Sequence, residues 1–391
     1  MVLKNISSVL LLGTENQLAL PVIRMLGSVL PEDARIHSLS FKKGSQIPAF
    51  SRYVHSHYCL QSTNEDELVG ELLKRIEETE ATVILPVGET YVRMLSVLKH
   101  RLEKHICLPP LSETPLFDSL VHKNKLHKLL QKHHFIRANT YSLNGLNISL
   151  LEDDFFPCLI KPVRESSGRG IKKIKSRKAL NMSISKLPPD NYILQEFIPG
   201  QDIDCSLLAV DGEIKAFTIQ KGMENRGFRF STAIKFENNK SVFNFAKRLI
   251  KITGYSGIAH LDFRLDERDG RPRLIDFNAR FWRTLSGSKA AGVDFVFLTC
   301  LASTGVPFEQ PHFHENIYFM GRSTLKHYYR KILNRYSGSA INTIQTDLWE
   351  KVNDPLPEIM RYTNRFLYPR IRRSEGLFSD TGSFRMAEDG V

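Results

Sequence analysis

Three oxygen-bearing side chains, Asp262, Asp276 and Asn278, stand where their types and spacing invite chemistry. The stretch around them, Gly257 to Trp282, reads as two short strands, Ala259 to Leu265 and Arg273 to Phe277, joined by a charged turn at Asp269-Gly270. Alternation places Leu261, Phe263 and Leu265 on one face of the first strand and His260, Asp262 and Arg264 on the other. Asp is disfavoured inside strands, so two acids well inside adjacent strands, with Asn278 and Arg280 at alternating spacing, read as a functional cluster rather than a solvated face. An all-oxygen ligand set suits magnesium far better than zinc.

The elements that must hold these residues can be read outward from the hairpin. Phe155 to Pro162 is an apolar run carrying Lys161 near its end, and Glu165-Ser166-Ser167-Gly168-Arg169-Gly170-Ile171 follows before Ile171 and Ile174 begin a returning strand. Small residues let backbone N–H groups approach phosphate oxygens, and a neighbouring lysine adds a point charge. No Gly-Lys-Ser/Thr closes this loop, so it is not a Walker loop; standing alone it reads equally as an ordinary hairpin turn. Tyr192 to Phe197 is another apolar strand, continuing through Ile198-Pro199-Gly200 and Asp202 into Ser206 to Val210, with a second hairpin at Asp211-Gly212 before Ile214 to Ile219. A strand ending in a Pro-Gly loop exposes main-chain groups to a base, and an acid there offers acceptors to ribose hydroxyls. The polar loop Lys221 to Arg229 adds Lys221, Arg226 and Arg229; an amphipathic helix Ser241 to Ile252 precedes the hairpin, and an apolar helix from Ala290 onward would pack behind it.

The chain opens with an apolar run, Ser8 to Leu12, a turn at Gly13, and helical spacing from Leu18 to Leu26 that Gly27 is expected to stop. Strand-like runs at Arg35 to Phe41 and Val83 to Pro86 flank a helix from about Glu65 to Glu78, started by Asn64. This alternation predicts a small parallel α/β layer over residues 1–115. Gly13-Thr14-Glu15 is no dinucleotide fingerprint, so a scaffold or substrate-side role is expected. Lys123 to Phe135 reads as a helix with Leu126, Leu129, Leu130 and Phe135 as its stripe, leading into a polar linker, Arg137 to Asn147. His122, His127, His133 and His134 lack the i, i+4 spacing of a helical zinc site and are expected to be solvated or loosely packed.

Length and composition fit a soluble globular protein: 391 residues, 42% hydrophobic and 25% charged. No apolar run reaches the length of a membrane span, and the first residues lack a signal-peptide pattern, so the expected compartment is the cytoplasm. Five scattered cysteines without Cys-x-x-Cys spacing are expected to be reduced. The net charge of +12 points to an acidic partner without choosing one.

Lys123, Lys161, the loop 165–171, the strand end 195–198, Asp262 and Asp276-x-Asn278-x-Arg280, in this order, resemble the ATP-grasp superfamily of carboxylate–amine or thiol ligases. The resemblance covers about residues 5–305, including an opening layer similar to the pre-ATP-grasp domain of carboxylate–amine ligases, and the chain is similar to the ATP-grasp domain of the carbamoyl-phosphate synthase large chain. The resemblance implies an α+β ATP-grasp fold: a pre-ATP-grasp parallel layer (1–115), a small subdomain with a phosphate-binding flap (116–200) and a large subdomain with the metal site (201–310), the two subdomains clamping ATP. It further implies that Lys123 and Lys161 contact the α- and β-phosphates, that Ser167, Gly168, Arg169 and Gly170 close over them, that Gln195, Glu196, Phe197 and Ile198 hold adenine, and that Asp202 meets the ribose. Asp262, Asp276 and Asn278 would bind magnesium, or alternatively manganese, with Arg280 facing the γ-phosphate; Lys221 and Arg229 are further catalytic candidates. The implied activity is ATP-dependent activation of a carboxylate as an acyl phosphate and its transfer to an amine or other nucleophile. Two departures stand out: Asp276 occupies a position where the family more often has Glu, and Arg283-Thr284 replaces a usual Gly-Ser pair.

Beyond this, residues 311–373 read as a basic helical extension and 374–391 as a tail expected to lack fixed structure. From Arg322 to Arg373 eleven basic residues face four acidic ones, which carries over half of the chain's excess charge. Leu325, Tyr328, Tyr329, Ile332 and Tyr336 form one helical stripe, and Ile359, Tyr362 and Phe366 another after Asp354-Pro355. These helices suit an anionic membrane or an acidic carrier, or pack on the core; nucleic acid is the least favoured partner, and a homodimer is left open. Two rival functions remain. His260-x-Asp262 followed by Asp276 superficially resembles small-molecule kinases, but Glu267 stands where that pattern needs Asn, and Lys161 precedes the glycine loop instead of following it. A non-catalytic nucleotide-regulated binding module is the other, against which the complete candidate ligand set counts.

Overall fold

The computed structural model describes residues 6–14, 18–41, 47–163, 170–185, 187–224, 231–321, 323–324 and 345–367. Four strands, β1 (Ser8–Leu12), β2 (Arg35–Ser40), β3 (Val54–Cys59) and β4 (Val83–Pro86), form a parallel sheet in the order β3-β2-β1-β4. The expected α/β layer is there, with one strand more than periodicity gave. Strand β3 carries His55, Ser56 and His57, and its polar side chains bond across to β2: His37 Nδ1 lies 2.5 Å from Ser56 Oγ and Ser38 Oγ 2.7 Å from His57 Nδ1. The first helix, Ala19–Val29, runs through Gly27 and does not stop there. A Cβ at Gly27 would lie 2.1 Å from the Tyr53 ring, so this glycine admits a close neighbour and leaves the helix intact. The helix Glu65–Thr79 starts where Asn64 accepts from the N–H groups of Asp66 and Glu67.

A second sheet is antiparallel, in the order β5-β8-β6-β7: β5 (Thr140–Ser142), β6 (Cys158–Pro162), β7 (Lys172–Ile174) and β8 (Tyr192–Glu196). Strand β5 lies inside the stretch expected as a polar linker; three residues are too few for alternation to register. The third sheet has seven strands, β9 (Gly200–Val210), β10 (Glu213–Gly222), β11 (Ala233–Phe236), β12 (Gly257–Asp266), β13 (Pro272–Asn278), β14 (Asn316–Phe319) and β15 (Gln345–Thr346), in the order β13-β12-β9-β10-β11-β14-β15. The turn between β9 and β10 has Asp211 at φ 48° and Gly212 at φ 78°, the positive pair that a two-residue hairpin of this type requires. The expected long helix from Ala290 is two pieces, Leu285–Ala290 and Phe295–Ser303, interrupted at Gly292 (φ 104°) and restarted by Asp294, whose carboxylate accepts from Phe297 N–H.

One large core joins the first and third sheets, containing Val9, Leu11, Ile23, Leu207, Phe236, Leu261 and Phe277. The helix Lys123–Lys132 places Leu126 and Leu130 in that core, while the second sheet has its own, built on Leu143, Phe155, Cys158, Ile160 and Leu194. Lys123 and Lys161 therefore sit on opposite bodies. The helix Leu356–Leu367 belongs to the expected basic extension and leans on the 3-10 turn Ile47–Phe50 of the N-terminal layer; the stripe from Leu325 to Tyr336 lies outside the described residues. All five cysteines are free. Among the described residues no helix is long and apolar enough to cross a membrane.

Candidate active site

Strands β9, β12 and β13 are antiparallel neighbours, and their register sets Asp204, Asp262 and Asp276 opposite one another. Two residues along, Ser206, His260 and Asn278 form a second row on the same face. The opposite face carries Cys205, Leu207, Leu261, Phe263 and Phe277 into the core, so burial of one face fixes the presentation of the other. The register shifts between Asp262 and Phe263, leaving one extra residue on β13 around Ile275. That bulge is why alternation along Leu274 to Phe277 is imperfect in the sequence.

Carboxylates directly opposite one another repel and call for cations. Lys123 Nζ lies 3.1 Å from Asp276 Oδ2. Asn278 Nδ2 donates to Asp262 Oδ2 at 3.3 Å and to the His260 carbonyl at 3.2 Å. Arg280 Nη2 donates to Asn278 Oδ1 at 3.0 Å, and its Nε stands 3.7 Å from Glu89 Oε1. Glu89 begins the helix after β4, at the carboxyl end of the parallel sheet beside its strand-order reversal, where α/β layers open a crevice. Burial and the neighbouring Asp276 push the Asp262 carboxyl upward, against Arg280 and Asn278; burial and Asp262 push Asp204 up as well. Burial lowers Lys123, but the combined attraction of Asp276, Glu89 and Asp262 outweighs it and leaves this lysine above its ordinary value.

On the second sheet, Lys161 Nζ donates to Gln195 Oε1 at 2.5 Å, and Gln195 Nε2 donates to Thr140 Oγ1 at 3.0 Å. Burial pulls Lys161 down to about 8, with the Lys123 charge adding to the effect and Asp276 opposing it. Gly170 has φ 71° where the chain re-enters β7; Ser167, Gly168, Arg169 and Arg229 lie outside the described residues. In the expected adenine stretch, Glu196 is bound on both oxygens, to Arg268 Nη2 at 2.7 Å and Asn139 N–H at 3.1 Å, and Phe197 N–H is bonded to the Pro157 carbonyl at 3.3 Å. Lys173 Nζ stands 3.3 Å from the centroid of the Phe197 ring. Arg264 gathers the turn, donating to the Ile198 carbonyl at 3.2 Å, the Gly200 carbonyl at 2.7 Å and Asp202 Oδ1 at 2.7 Å. Lys221, at the end of β10, pairs with Glu237 at 2.9 Å.

The residues legible in sequence thus fall into a cluster of Lys123, Asp262, Asp276, Asn278 and Arg280, with Lys161 and Gln195 facing it from the second sheet. Sequence reasoning missed Asp204, Ser206 and Glu89, and gave His260 no role at the cluster. Ser206 Oγ is 2.8 Å from His260 Nδ1, and the imidazole stacks on Trp282 with centroids 5.6 Å apart. Burial, helped by Arg280, lowers His260 to about 3 and keeps it neutral. For Asp204 the signal was present, because Asp202, Asp204 and Ser206 alternate as His260 and Asp262 do; for Glu89 there was none. The histidines around Lys123 form no metal cluster among the described residues.

Residues 130–284 match the family model described as the D-ala D-ala ligase C-terminus. The structure of N5-carboxyaminoimidazole synthetase from Staphylococcus aureus, complexed with ADP, superposes with a TM-score of 0.64 at 13% identity, over 83% of this chain and 86% of that one. The chain has the ATP-grasp fold. Another structural neighbour is the L-amino acid ligase from Bacillus licheniformis, with a TM-score of 0.58 at 17% identity, over 78% of this chain and 75% of that one. In sequence, a D-aspartate ligase from Enterococcus faecium is 21% identical over 245 residues, 55% of this chain and 58% of the relative. A D-alanine–D-alanine ligase from Halothermothrix orenii is 25% identical over 177 residues, 40% of this chain and 51% of the relative. The chain therefore spans only about half the length of these two relatives.

Proposed function

We propose that this chain is an ATP-dependent ligase that activates a carboxylate as an acyl phosphate and joins it to an amine. The observation that carries the reading is the single face on which Asp262, Asp276, Asn278, Lys123 and Arg280 converge, with Lys161 opposite. A carboxylate oxygen would attack the γ-phosphorus as the bond to the ADP oxygen breaks; the amine nitrogen would then attack the acyl carbon, lose a proton and expel phosphate. Lys123 and Lys161 would hold the phosphates, and Arg280, fixed by Asn278 and Glu89, would face the transferred group. Asp262, Asp276 and Asn278 fit a magnesium ion by the hardness of their oxygen donors. When bound, the metal would neutralise charge on the phosphates.

Lys161 and Lys123 stand on bodies with separate cores, which supports binding of the nucleotide between the two. In the adenine stretch the Ile198 N–H would meet the base, since the Phe197 N–H is bonded to the Pro157 carbonyl and the Ile198 carbonyl to Arg264. Amino acids are the first substrates to screen, because relatives are named as D-aspartate and D-alanine–D-alanine ligases and Glu89 beside Arg280 offers opposite charges for a zwitterion. Purified protein given ATP, magnesium and pools of amino acids or other carboxylates plus amines should release ADP and phosphate only when both substrate classes are present. Asp276→Ala should lower that turnover at least a hundredfold with the fold retained by circular dichroism. Phosphate transferred to a hydroxyl product, or full activity in Asp276→Ala, would overturn the reading.

A further inference from the structure

Asp204 has no part in the scheme above, and neither does the His260 ring. Yet Asp204, His260 and Asp262 each bring a ligand atom to within 4.8 Å of the others. His260 Nε2 stands 3.3 Å from Asp262 Oδ1 and 3.9 Å from Asp204 Oδ2. All three side chains project from adjacent paired strands, β9 and β12, which is a more rigid mount than a loop. The imidazole is fixed twice over: Ser206 Oγ holds Nδ1 at 2.8 Å, and Trp282 lies parallel to the ring within 13°. With Nδ1–H bonded to the buried Ser206 oxygen, the Nε2 lone pair faces two carboxylates, an arrangement that a cation among them would stabilise. Among the described residues, the side-chain donor recorded for Asp204 besides this ring is the neutral Gln220 amide at 3.3 Å, whereas Asp276 has the Lys123 ammonium.

We propose that Asp204 and His260 are ligands, together with Asp262, of a divalent cation, forming a mixed carboxylate–imidazole site that holds Mn2+ in preference to Mg2+. The chemistry follows from the donor set. Magnesium takes oxygen ligands in strict octahedral geometry, while an imidazole nitrogen shifts preference toward first-row transition metals. The inference rests on the reading above only in taking Asp262 as a metal ligand, and its test needs no turnover.

The probe is Mn2+ alone, titrated into the full chain and followed by electron paramagnetic resonance, with Mg2+ as competitor. Bound Mn2+ should show hyperfine coupling to an imidazole nitrogen, and Mg2+ should displace it only in at least about tenfold excess. His260→Gln should abolish the nitrogen coupling, and Asp204→Asn, which keeps the side-chain shape, should weaken Mn2+ at least about tenfold. Bound Mn2+ without nitrogen coupling overturns the proposal, as do unchanged affinity in Asp204→Asn, displacement by equimolar Mg2+, and no Mn2+ binding at all. Nitrogen-coupled Mn2+ in a protein that releases no ADP would leave this site standing while the ligase reading fails; ADP release without nitrogen coupling would do the reverse.

Discussion

The Lys161 ammonium is buried, with Gln195 Oε1 as its hydrogen-bond acceptor, and burial is what brings its pKa down to about 8 from the ordinary 10.5. Two consequences run in opposite directions. Between about 8 and 10.5 the unfolded chain keeps the proton that the folded chain has lost, so Lys161 makes the fold more stable as pH rises through that window. Phosphate binding needs the charged form, so ADP affinity should fall over the same range, by about tenfold for each pH unit above 8. Calorimetric titration of ADP across this range should show that fall in the native chain and a flat, weaker profile in Lys161→Met. A native profile that stays flat past pH 9 would mean that Lys161 does not touch the nucleotide. Lys161 stood out in the sequence as a lysine near the end of an apolar run, whereas its burial depends on Gln195 and Thr140, which come from other strands. The same limit hid Glu89: its proximity to Arg280 is made by two sheets meeting, and nothing local in the sequence marks it.

Strands were readable where one face is apolar throughout, as in β1, β9, β10 and β12, and unreadable where polar side chains bond across the sheet, as in β3, or where the element is too short, as in β5. Glycines were the less reliable punctuation. Gly27 admits an aromatic ring inside a helix, while Gly200, in the Pro-Gly pair read as exposing main-chain groups, has φ 133° and starts β9 so close to β12 that an added Cβ would stand 2.0 Å from the Leu265 carbonyl oxygen. That oxygen belongs to the backbone and cannot swing aside. Gly200→Ala should therefore cost about 2–3 kcal/mol, measured by urea unfolding, and should disturb the turn that Arg264 gathers through the Ile198 and Gly200 carbonyls. Because that turn ends the expected adenine stretch, nucleotide affinity should fall along with stability. Gly145→Ala, at φ 73° with nothing within 4 Å of the added atom, is the control that carries backbone strain without the clash.

At the scale of the whole molecule, the C-terminal segment and the N-terminal layer, more than three hundred residues apart, are fastened by one buried carboxylate. The sequence marked Asp354-Pro355 only as a helix start within a basic extension. In the fold Asp354 is fully buried and accepts from Arg24 Nε at 3.0 Å, Ser51 Oγ at 2.8 Å and Arg52 N–H at 2.9 Å. Arg24 also donates to the Asp354 carbonyl at 2.8 Å and to Glu358 at 3.3 Å, so one guanidinium serves the start of the helix Leu356–Leu367 twice over. The helix thus packs on the core through its first turn, while Trp349, 66% exposed, and Ile359, 51% exposed, face outward. Removing one partner of a buried ion pair leaves the other desolvated and uncompensated, which costs more than the pair contributes when intact. Arg24→Met should accordingly destabilise the chain by about 3–5 kcal/mol in urea unfolding, and Arg24→Met with Asp354→Leu should recover part of that loss, because neither charge then remains buried. If Arg24→Met costs less than about 1 kcal/mol, the range of an exposed pair, the clasp is a surface contact and the C-terminal helix is held by something else.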